Sequence, residues 1–262
     1  MNFSSLNWHW RLFILLSGFA MVFLIACNEE EDDFSIMEGR AFFPLEIGKF
    51  RTYQVDSIIF DPSADQVLMD SSTTFFREEI IDIFQDGEGN DIFQVERSSR
   101  SEIDSPWEFQ LVYTMENRGD YAIQNENNLR LKVFPFSLSE NRIWTATNFF
   151  DENVEFTIAG ERIQVYKNWE SSFESLIQEE TIGGFEVETI TILHQNDANN
   201  VFERRFVSEK YAQGIGLVYR EMQIFDSQFC NQEPVPDNCE TIVWEAKTER
   251  GFSLKQTILA FN

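Results

Sequence analysis

Large apolar residues alternate with polar ones along most of the chain after residue 40. The alternation is clearest in segments 107–115, 129–133, 154–158 and 163–165. Near the C-terminus, Ile242, Trp244 and Ala246 share one face of the same pattern. A period of two is typical of strands that bury one face and expose the other, as in antiparallel sheets. We therefore predict strands through most of residues 41–262.

Turn-forming residues separate these strands, and two segments depart from simple alternation. Residues 86–91 (DGEGND) predict a hairpin turn, and residues 117–120 and 125–128 predict two more turns. Within residues 185–192 the apolar positions change phase, from 185 and 187 to 190 and 192, which indicates a β-bulge. One short helix is predicted from apolar residues at helical spacing: Trp169, Phe173, Leu176 and Ile177.

These patterns together define the expected fold. No Pro-, Gly- or Ser-rich linker divides residues 41–262, and a hydrophobic content of 43% with 27 Phe excludes a disordered chain. We predict one mainly β domain over 41–262, a single antiparallel curved sheet or barrel-like arrangement with at most short helices. An N-terminal signal helix is expected before it.

Residues 12–26 are uncharged and almost wholly apolar. A membrane-spanning helix needs about 20 such residues, so this shorter run is typical of a signal-peptide core. It ends in Leu24-Ile25-Ala26-Cys27, which resembles the bacterial lipobox. The resemblance implies cleavage after a 1–26 signal peptide and a diacylglyceryl group on the Cys27 thiol, and several acyl chains suffice for stable anchoring. The alternative is an ordinary cleavage site that precedes a Cys.

The segment after Cys27 is strongly acidic, with five acids in residues 29–33. A run of like charges favours a solvated tether, which we assign to residues 27–40. The run also resembles the surface-export signal of Bacteroidota lipoproteins, and Asn28 does not match the usual inner-membrane retention signal. The resemblance implies a lipid-anchored protein of the outer membrane, displayed on the cell surface.

If Cys27 is lipidated, Cys230 and Cys239 remain as a pair. They enclose eight mostly polar residues with two prolines, a pattern that in an exported protein predicts a disulfide-clamped loop. A metal-binding pair is the weaker alternative, because one His remains in the mature sequence.

Longer segments also carry a resemblance: 43–50 with 53–61, 79–82 with 93–97, 127–135 followed by Trp144, and 211–221. Together they resemble a group of uncharacterised Bacteroidota lipoproteins over most of residues 41–262. The family pattern more often has Trp where this chain has Phe50 or Arg51. The resemblance implies an envelope lipoprotein with a β-rich domain, and it brings no activity and no catalytic residue.

The chemistry that remains open is limited by composition. A net charge of −25 argues against a nucleic-acid partner, and two His with three Cys leave little material for a transition-metal site. Residues 61–65 and 86–91 space oxygens as calcium loops do, yet neither completes an EF-hand, so turn chemistry is the simpler interpretation. We predict no cofactor and no metal site.

Catalytic machinery is equally sparse. A Ser–His–acid triad would have to use His194, which we expect to be a satisfied or exposed loop histidine, and no nucleophile elbow or phosphate loop occurs. The adjacent Phe pairs 42–43, 75–76 and 149–150 suggest that one ring of each faces outward, as in an apolar ligand pocket, although core packing explains them too. We predict a non-enzymatic module that binds an apolar ligand or an envelope partner, with no lining residue assigned. The alternative is a surface hydrolase that uses paired carboxylates on glycans.

Overall fold

One antiparallel sheet dominates the part of the chain that the structure describes. The computed structural model describes residues 39–63, 66–140, 142–197 and 200–262. Twelve strands of these residues form the large sheet: β1 (Phe50–Ser63), β2 (Gln66–Gln85), β3 (Asp91–Arg100), β4 (Glu108–Arg118), β5 (Tyr121–Glu126), β6 (Leu129–Pro135), β7 (Ile143–Trp144), β10 (Glu170–Ile182), β11 (Phe185–Gln195), β12 (Glu203–Ala212), β13 (Gly216–Asp226) and β14 (Arg250–Phe261). A separate small hairpin contains β8 (Phe156–Ile158) and β9 (Glu161–Ile163). The predicted mainly β fold is confirmed.

The sheet consists of two meanders joined at their first and last strands. Its order is β6-β5-β4-β3-β2-β1-β14-β13-β12-β11-β10-β7. We call β1–β6 the N-terminal half and β10–β14 the C-terminal half. The sheet is not closed into a barrel, but its two edges are bridged: Lys132 of β6 donates its backbone N–H to Ala146, and Trp144 of β7 donates its indole N–H to the Lys132 carbonyl.

Both halves contribute to one apolar core, which shows that the sheet curls over itself. Phe134 and Tyr211, from β6 and β12, lie with their ring centroids 5.0 Å apart. The other strands add inward-facing side chains at alternate positions: Val95, Tyr113, Met115, Ile190, Ile192, Val207 and Ile224. Burial of this alternate set stabilises the sheet by about 25 cal/mol per Å² of apolar area.

A second, smaller apolar cluster explains the phase change predicted in residues 185–192. Phe185 and Val187 pack with Tyr53, Val218 and Ile258 in this second cluster, whereas Ile190 and Ile192 belong to the main core. The irregular register lies in the partner strand β10, opposite residues 189–192, and β11 itself pairs regularly with β12. The bulge is therefore at the predicted place but on the neighbouring strand.

The helix predicted from Trp169, Phe173, Leu176 and Ile177 is wrong, because most of this segment is strand β10. Two register shifts, between Phe173 and Ser175 and between Ser175 and Gln178, insert extra residues into the strand. Ile177 has a φ of 40°, which a β-branched residue rarely adopts. Each bulge breaks the period of two, and the resulting spacing of apolar residues imitates a helix.

The strand predicted around Ile242, Trp244 and Ala246 is also wrong. Residues Trp244–Lys247 form a short helix, α1, in which Ala246 is exposed and Lys247 is buried. Lys247 donates from Nζ to the Cys239 carbonyl, and Ser227 donates from Oγ to the Lys247 carbonyl. These tertiary contacts hold the chain in a turn of helix before β14 begins.

The predicted turns are confirmed, and residues 86–91 show why. The Asp86 carboxylate accepts the backbone N–H groups of Glu88 and Asn90, and it forms an ion pair with Arg118 at 2.5 Å. The hydrogen bonds from Asn90 lower the pKa of Asp86 to about 2. Asp86 therefore serves the turn, as the simpler interpretation expected.

Candidate functional site

A cavity of about 170 Å³ lies between the two halves of the sheet. Its polar lining residues, which we call the polar wall, are Gln124, Glu126, Asn127 and Arg97 from the N-terminal half and His194, Glu209 and Arg220 from the C-terminal half. Its apolar and aromatic lining residues, which we call the apolar wall, are Leu129, Leu131, Val133, Ala146, Phe156, Tyr166, Trp169, Val207 and Met222. The cavity is therefore amphiphilic.

The N-terminal half supplies a tightly paired group of charges, which we call the Arg97 cluster: Arg51, Glu78, Arg97 and Glu126. Glu78 stands directly opposite both Arg51 and Arg97 in the sheet register. Arg97 donates to Glu78 at 2.8 and 3.0 Å and to Glu126 at 2.8 and 3.1 Å. Two carboxylates thus occupy the guanidinium fork of Arg97.

The C-terminal half supplies the Arg220 cluster: Ser171, His194, Glu209, Tyr211 and Arg220. Glu209 and Arg220 face each other across β12 and β13, and Arg220 donates from Nε to Glu209 at 2.7 Å. The Tyr211 hydroxyl donates to the other carboxylate oxygen at 2.7 Å. His194 places its Nε2 3.7 Å from the same oxygen.

Burial and charge act in opposite directions on these acids. Burial alone would raise the pKa of Glu209, but the charge of Arg220, the nearby His194 and the hydrogen bond from Tyr211 outweigh it, so the pKa is lowered. Burial would also raise the pKa of Glu78, but the charges of Arg97 and Arg51 outweigh this effect, so the pKa of Glu78 is lowered as well. Both carboxylates are held ionised, and the pKa values of Arg97 and Arg220 are raised despite burial, chiefly because Glu78 and Glu209 are close.

Aromatic side chains form one end of the apolar wall. The Tyr166 ring contacts Trp169, with centroids 4.8 Å apart, and Phe156, with centroids 5.7 Å apart. Trp169 in turn stacks on His194 at 5.0 Å, which joins the apolar wall to the polar wall. The hairpin β8–β9 supplies Phe156, so this small sheet forms part of the boundary of the cavity.

His194 is a satisfied buried histidine in β11, which is one of the two outcomes expected for it. Its Nδ1 lies 2.7 Å from the Ser171 hydroxyl, and with Glu209 the three residues have the composition of a catalytic triad. Ser171, however, has no exposed surface, so its hydroxyl does not reach the cavity. We interpret this group as a structural network that links β10, β11 and β12.

Of the site residues predicted from the sequence, His194 lines the cavity, whereas Cys230, Cys239 and residues 86–91 do not. Cys27 falls outside the described residues. Cys230 and Cys239 are disulfide-bonded, with Cα atoms 5.4 Å apart, in the loop between β13 and α1. Of the calcium candidates, residues 61–65 are described only in part. No group of three or more His, Cys, Asp or Glu suited to a metal ion occurs within the described ranges.

The Phe pairs do not form the predicted pocket. Phe42 and Phe43 are both buried. Phe42 ends a 3-10 turn (Gly39–Phe42) and Phe43 follows it, so the pair does not alternate between two faces as it would in a strand. In the pair 149–150, Phe149 is exposed and Phe150 packs on Tyr166. Phe156, which belongs to none of the pairs, lines the cavity.

Sequence reasoning missed the charged residues of the polar wall, although a signal for them exists. Val95 and Arg97, and Val207 and Glu209, are two residues apart, so each of these charges shares a strand face with a buried valine of the main core. A charge in phase with core positions is expensive unless it is paired. That pattern could have identified the site.

Comparison with known proteins does not assign a family. No family model and no curated protein matches the chain. A "putative lipoprotein" from Parabacteroides distasonis has a similar structure, with a TM-score of 0.44, 7% identity, and coverage of 84% of this chain and 98% of that one. A "putative exported protein" with a YmcC-like fold from Bacteroides fragilis gives a TM-score of 0.40, 8% identity and the same coverage. Similarity at this level assigns no function to this chain.

Proposed function

We propose that this chain is a lipid-anchored protein of the bacterial outer membrane, displayed on the cell surface, whose β domain binds a small amphiphilic ligand without catalysis. The observation that carries the binding role is the cavity, because its lining combines apolar and aromatic side chains with charged ones. Ligand sites typically combine an apolar lining with a few placed polar groups.

The size of the cavity limits the ligand. A volume of about 170 Å³ is close to that of an engineered protein cavity of about 150 Å³ that admits benzene. Drug-sized sites are usually about 300–1,000 Å³. We therefore expect a ligand whose apolar part is about the size of one aromatic ring.

The lipid anchor rests on the lipobox at residues 24–27 and the acidic run that follows it. Within the described residues, no helix has the length and apolarity required to cross a membrane. Cys27→Ala should abolish incorporation of a labelled fatty acid and release the protein from isolated membranes. Membrane retention of the unlabelled variant would contradict the proposed anchor.

The binding role is tested with a neutral probe, phenylacetamide, and the mature protein in lipid nanodiscs, with empty nanodiscs as the blank. Leu131→Trp fills the cavity from the apolar wall and should abolish saturable binding measured by calorimetry. Leu68→Trp, on the exposed start of β2, is the matched control and should bind as the wild type does. Retained binding in Leu131→Trp would place the ligand elsewhere.

A glycan hydrolase is the second candidate, because Glu126 and Glu209 both line the cavity. A glycosidase needs one carboxyl that holds a proton and has a raised pKa. Glu209 has a lowered pKa, and Glu126 is paired with Arg97 at 2.8 Å. These contacts favour binding over hydrolysis. Turnover of any glycan by the wild type that is lost in Glu209→Gln would reverse this ranking.

A further inference from the structure

Three side chains of the cavity carry hydrogen-bond donors that have no acceptor among the described residues. Arg220 donates from Nε to Glu209, whereas its two Nη groups donate to no residue within the described part of the chain. The Trp169 indole Nε1 is buried without a partner among the described residues. The Tyr166 hydroxyl makes no hydrogen bond to a described residue either. All three side chains line the cavity.

The two carboxylates of the cavity, in contrast, already accept hydrogen bonds. Glu126 accepts from Arg97 and Gln124, and Glu209 accepts from Arg220 and Tyr211. A buried polar group that stays unpaired is costly, so a ligand gains most by supplying acceptors here. A ligand that donates to Glu126 or Glu209 would instead have to compete with these existing bonds.

The free donors of Arg220 have a geometry that selects among acceptors. A guanidinium presents its N–H groups in a planar fork that matches the two oxygens of a carboxylate. The Arg220 side chain is 19% exposed, so it is reachable yet largely desolvated. Charge-assisted hydrogen bonds in such a setting are about twice as strong as neutral ones.

The geometry points to a monocarboxylate as the ligand: a carboxylate on the Nη groups of Arg220, with an apolar body of about one ring against Tyr166, Trp169 and Met222. This inference rests on the proposed binding function and names the ligand class for the same cavity. The net charge of −25 does not oppose it strongly, because surface charges beyond about 8 Å are screened at physiological salt.

The test compares phenylacetate with its neutral isostere phenylacetamide by calorimetry on the mature protein in nanodiscs. The two probes share the ring and differ in the head group. We expect phenylacetate to bind about tenfold to a hundredfold more tightly, the range for hydrogen bonds to a charged group. Equal affinities, or tighter binding of the amide, would overturn the carboxylate assignment and leave the binding role intact. Failure of both probes to bind would reject the proposed function itself.

Variants then locate the head group. Arg220→Lys keeps the charge beside Glu209 but removes the fork, so phenylacetate affinity should fall about tenfold while phenylacetamide affinity is unchanged. Arg204→Lys, on the opposite face of the β12–β13 pair and bonded to Gln223, is the control and should change neither affinity. Melting temperatures show whether each variant is folded. If Arg220→Lys does not fold, the probe comparison on the wild type still decides the question.

Discussion

Each half of the sheet contributes one largely buried arginine to the cavity, and the two arginines are used differently. Arg97 donates four hydrogen bonds to Glu78 and Glu126 among the described residues. Arg220 donates one, to Glu209. Two acids thus fix Arg97 as part of the framework, whereas one acid orients Arg220 and leaves its Nη groups free. The number of acids bonded to each arginine, two for Arg97 and one for Arg220, and not burial alone, separates a structural charge from one that can bind a ligand.

The largest expected effect is a loss of stability when the Arg97 cluster is disrupted. Glu78 is 5% exposed and lies between Arg51 and Arg97. Glu78→Gln leaves two buried arginines short of a counter-charge, so the free energy of unfolding should fall by about 3–5 kcal/mol. Urea unfolding at pH 7 measures the change. Glu79→Gln, the next residue on the other face, pairs with Arg77 at 38% exposure and should cost less than about 1 kcal/mol. Equal losses of stability in Glu78→Gln and Glu79→Gln would show that Glu78 does not form ion pairs with Arg97 and Arg51.

A smaller loss of stability is expected when the disulfide, which lies outside both clusters, is removed. Cys230 and Cys239 close a short loop outside the cavity. The double substitution to Ser should lower the free energy of unfolding by about 2–3 kcal/mol, since the unfolded chain gains loop entropy. Phenylacetate affinity should stay unchanged, in contrast to Arg220→Lys. Non-reducing peptide mapping of the exported wild type should find the two Cys in one linked peptide, and two freely alkylated thiols would refute the pairing.

The fold could be predicted from the sequence further than the site could. Alternation at Tyr113 and Met115 identifies strand β4 because burial on one face imposes a period of two. The prediction failed at Phe173 and Ile177, where bulges in β10 change the period. It failed again at Trp244, where contacts from residues distant in sequence select a helix.

The two arginine clusters show why the site was harder to predict. Val95-Glu96-Arg97 and Val218-Tyr219-Arg220 have the same local pattern, a buried valine followed two residues later by arginine. Their difference lies in partners from other strands: Glu78 and Glu126 for one, Glu209 for the other. Strand order and register determine those partners, and neither can be derived from one local segment.

A third prediction concerns the pH dependence of the stability that the Arg220 cluster provides. Burial opposes the ionised form of Glu209, but Arg220 outweighs it and holds the pKa below its ordinary value of 4.5. The group therefore stabilises the fold above pH 4.5, and this stabilisation is lost as the pH falls. The stability gap between wild type and Glu209→Gln should narrow by about 2 kcal/mol from pH 7 to pH 3. Urea unfolding at both pH values measures the gap. Glu102→Gln, in an exposed loop, is the control. If the difference in stability between wild type and Glu209→Gln is the same at both pH values, the ion pair with Arg220 is contradicted.

The smallest expected effect separates the neutral donors of the cavity from the charged one. Burial raises the pKa of Tyr166 to about 12, so its hydroxyl remains protonated and can donate to a bound carboxylate. Tyr166→Phe keeps the ring contacts with Trp169 and Phe156 and removes this one donor. The free energy of phenylacetate binding should weaken by about 0.5–1 kcal/mol, the contribution of an ordinary hydrogen bond, which is less than the roughly 1.4 kcal/mol that a tenfold loss in Arg220→Lys represents. Tyr219→Phe, whose hydroxyl donates to Glu221 and does not line the cavity, should leave the affinity unchanged. Equal losses in both tyrosine variants would mean that the hydroxyl of Tyr166 acts through stability and does not contact the ligand.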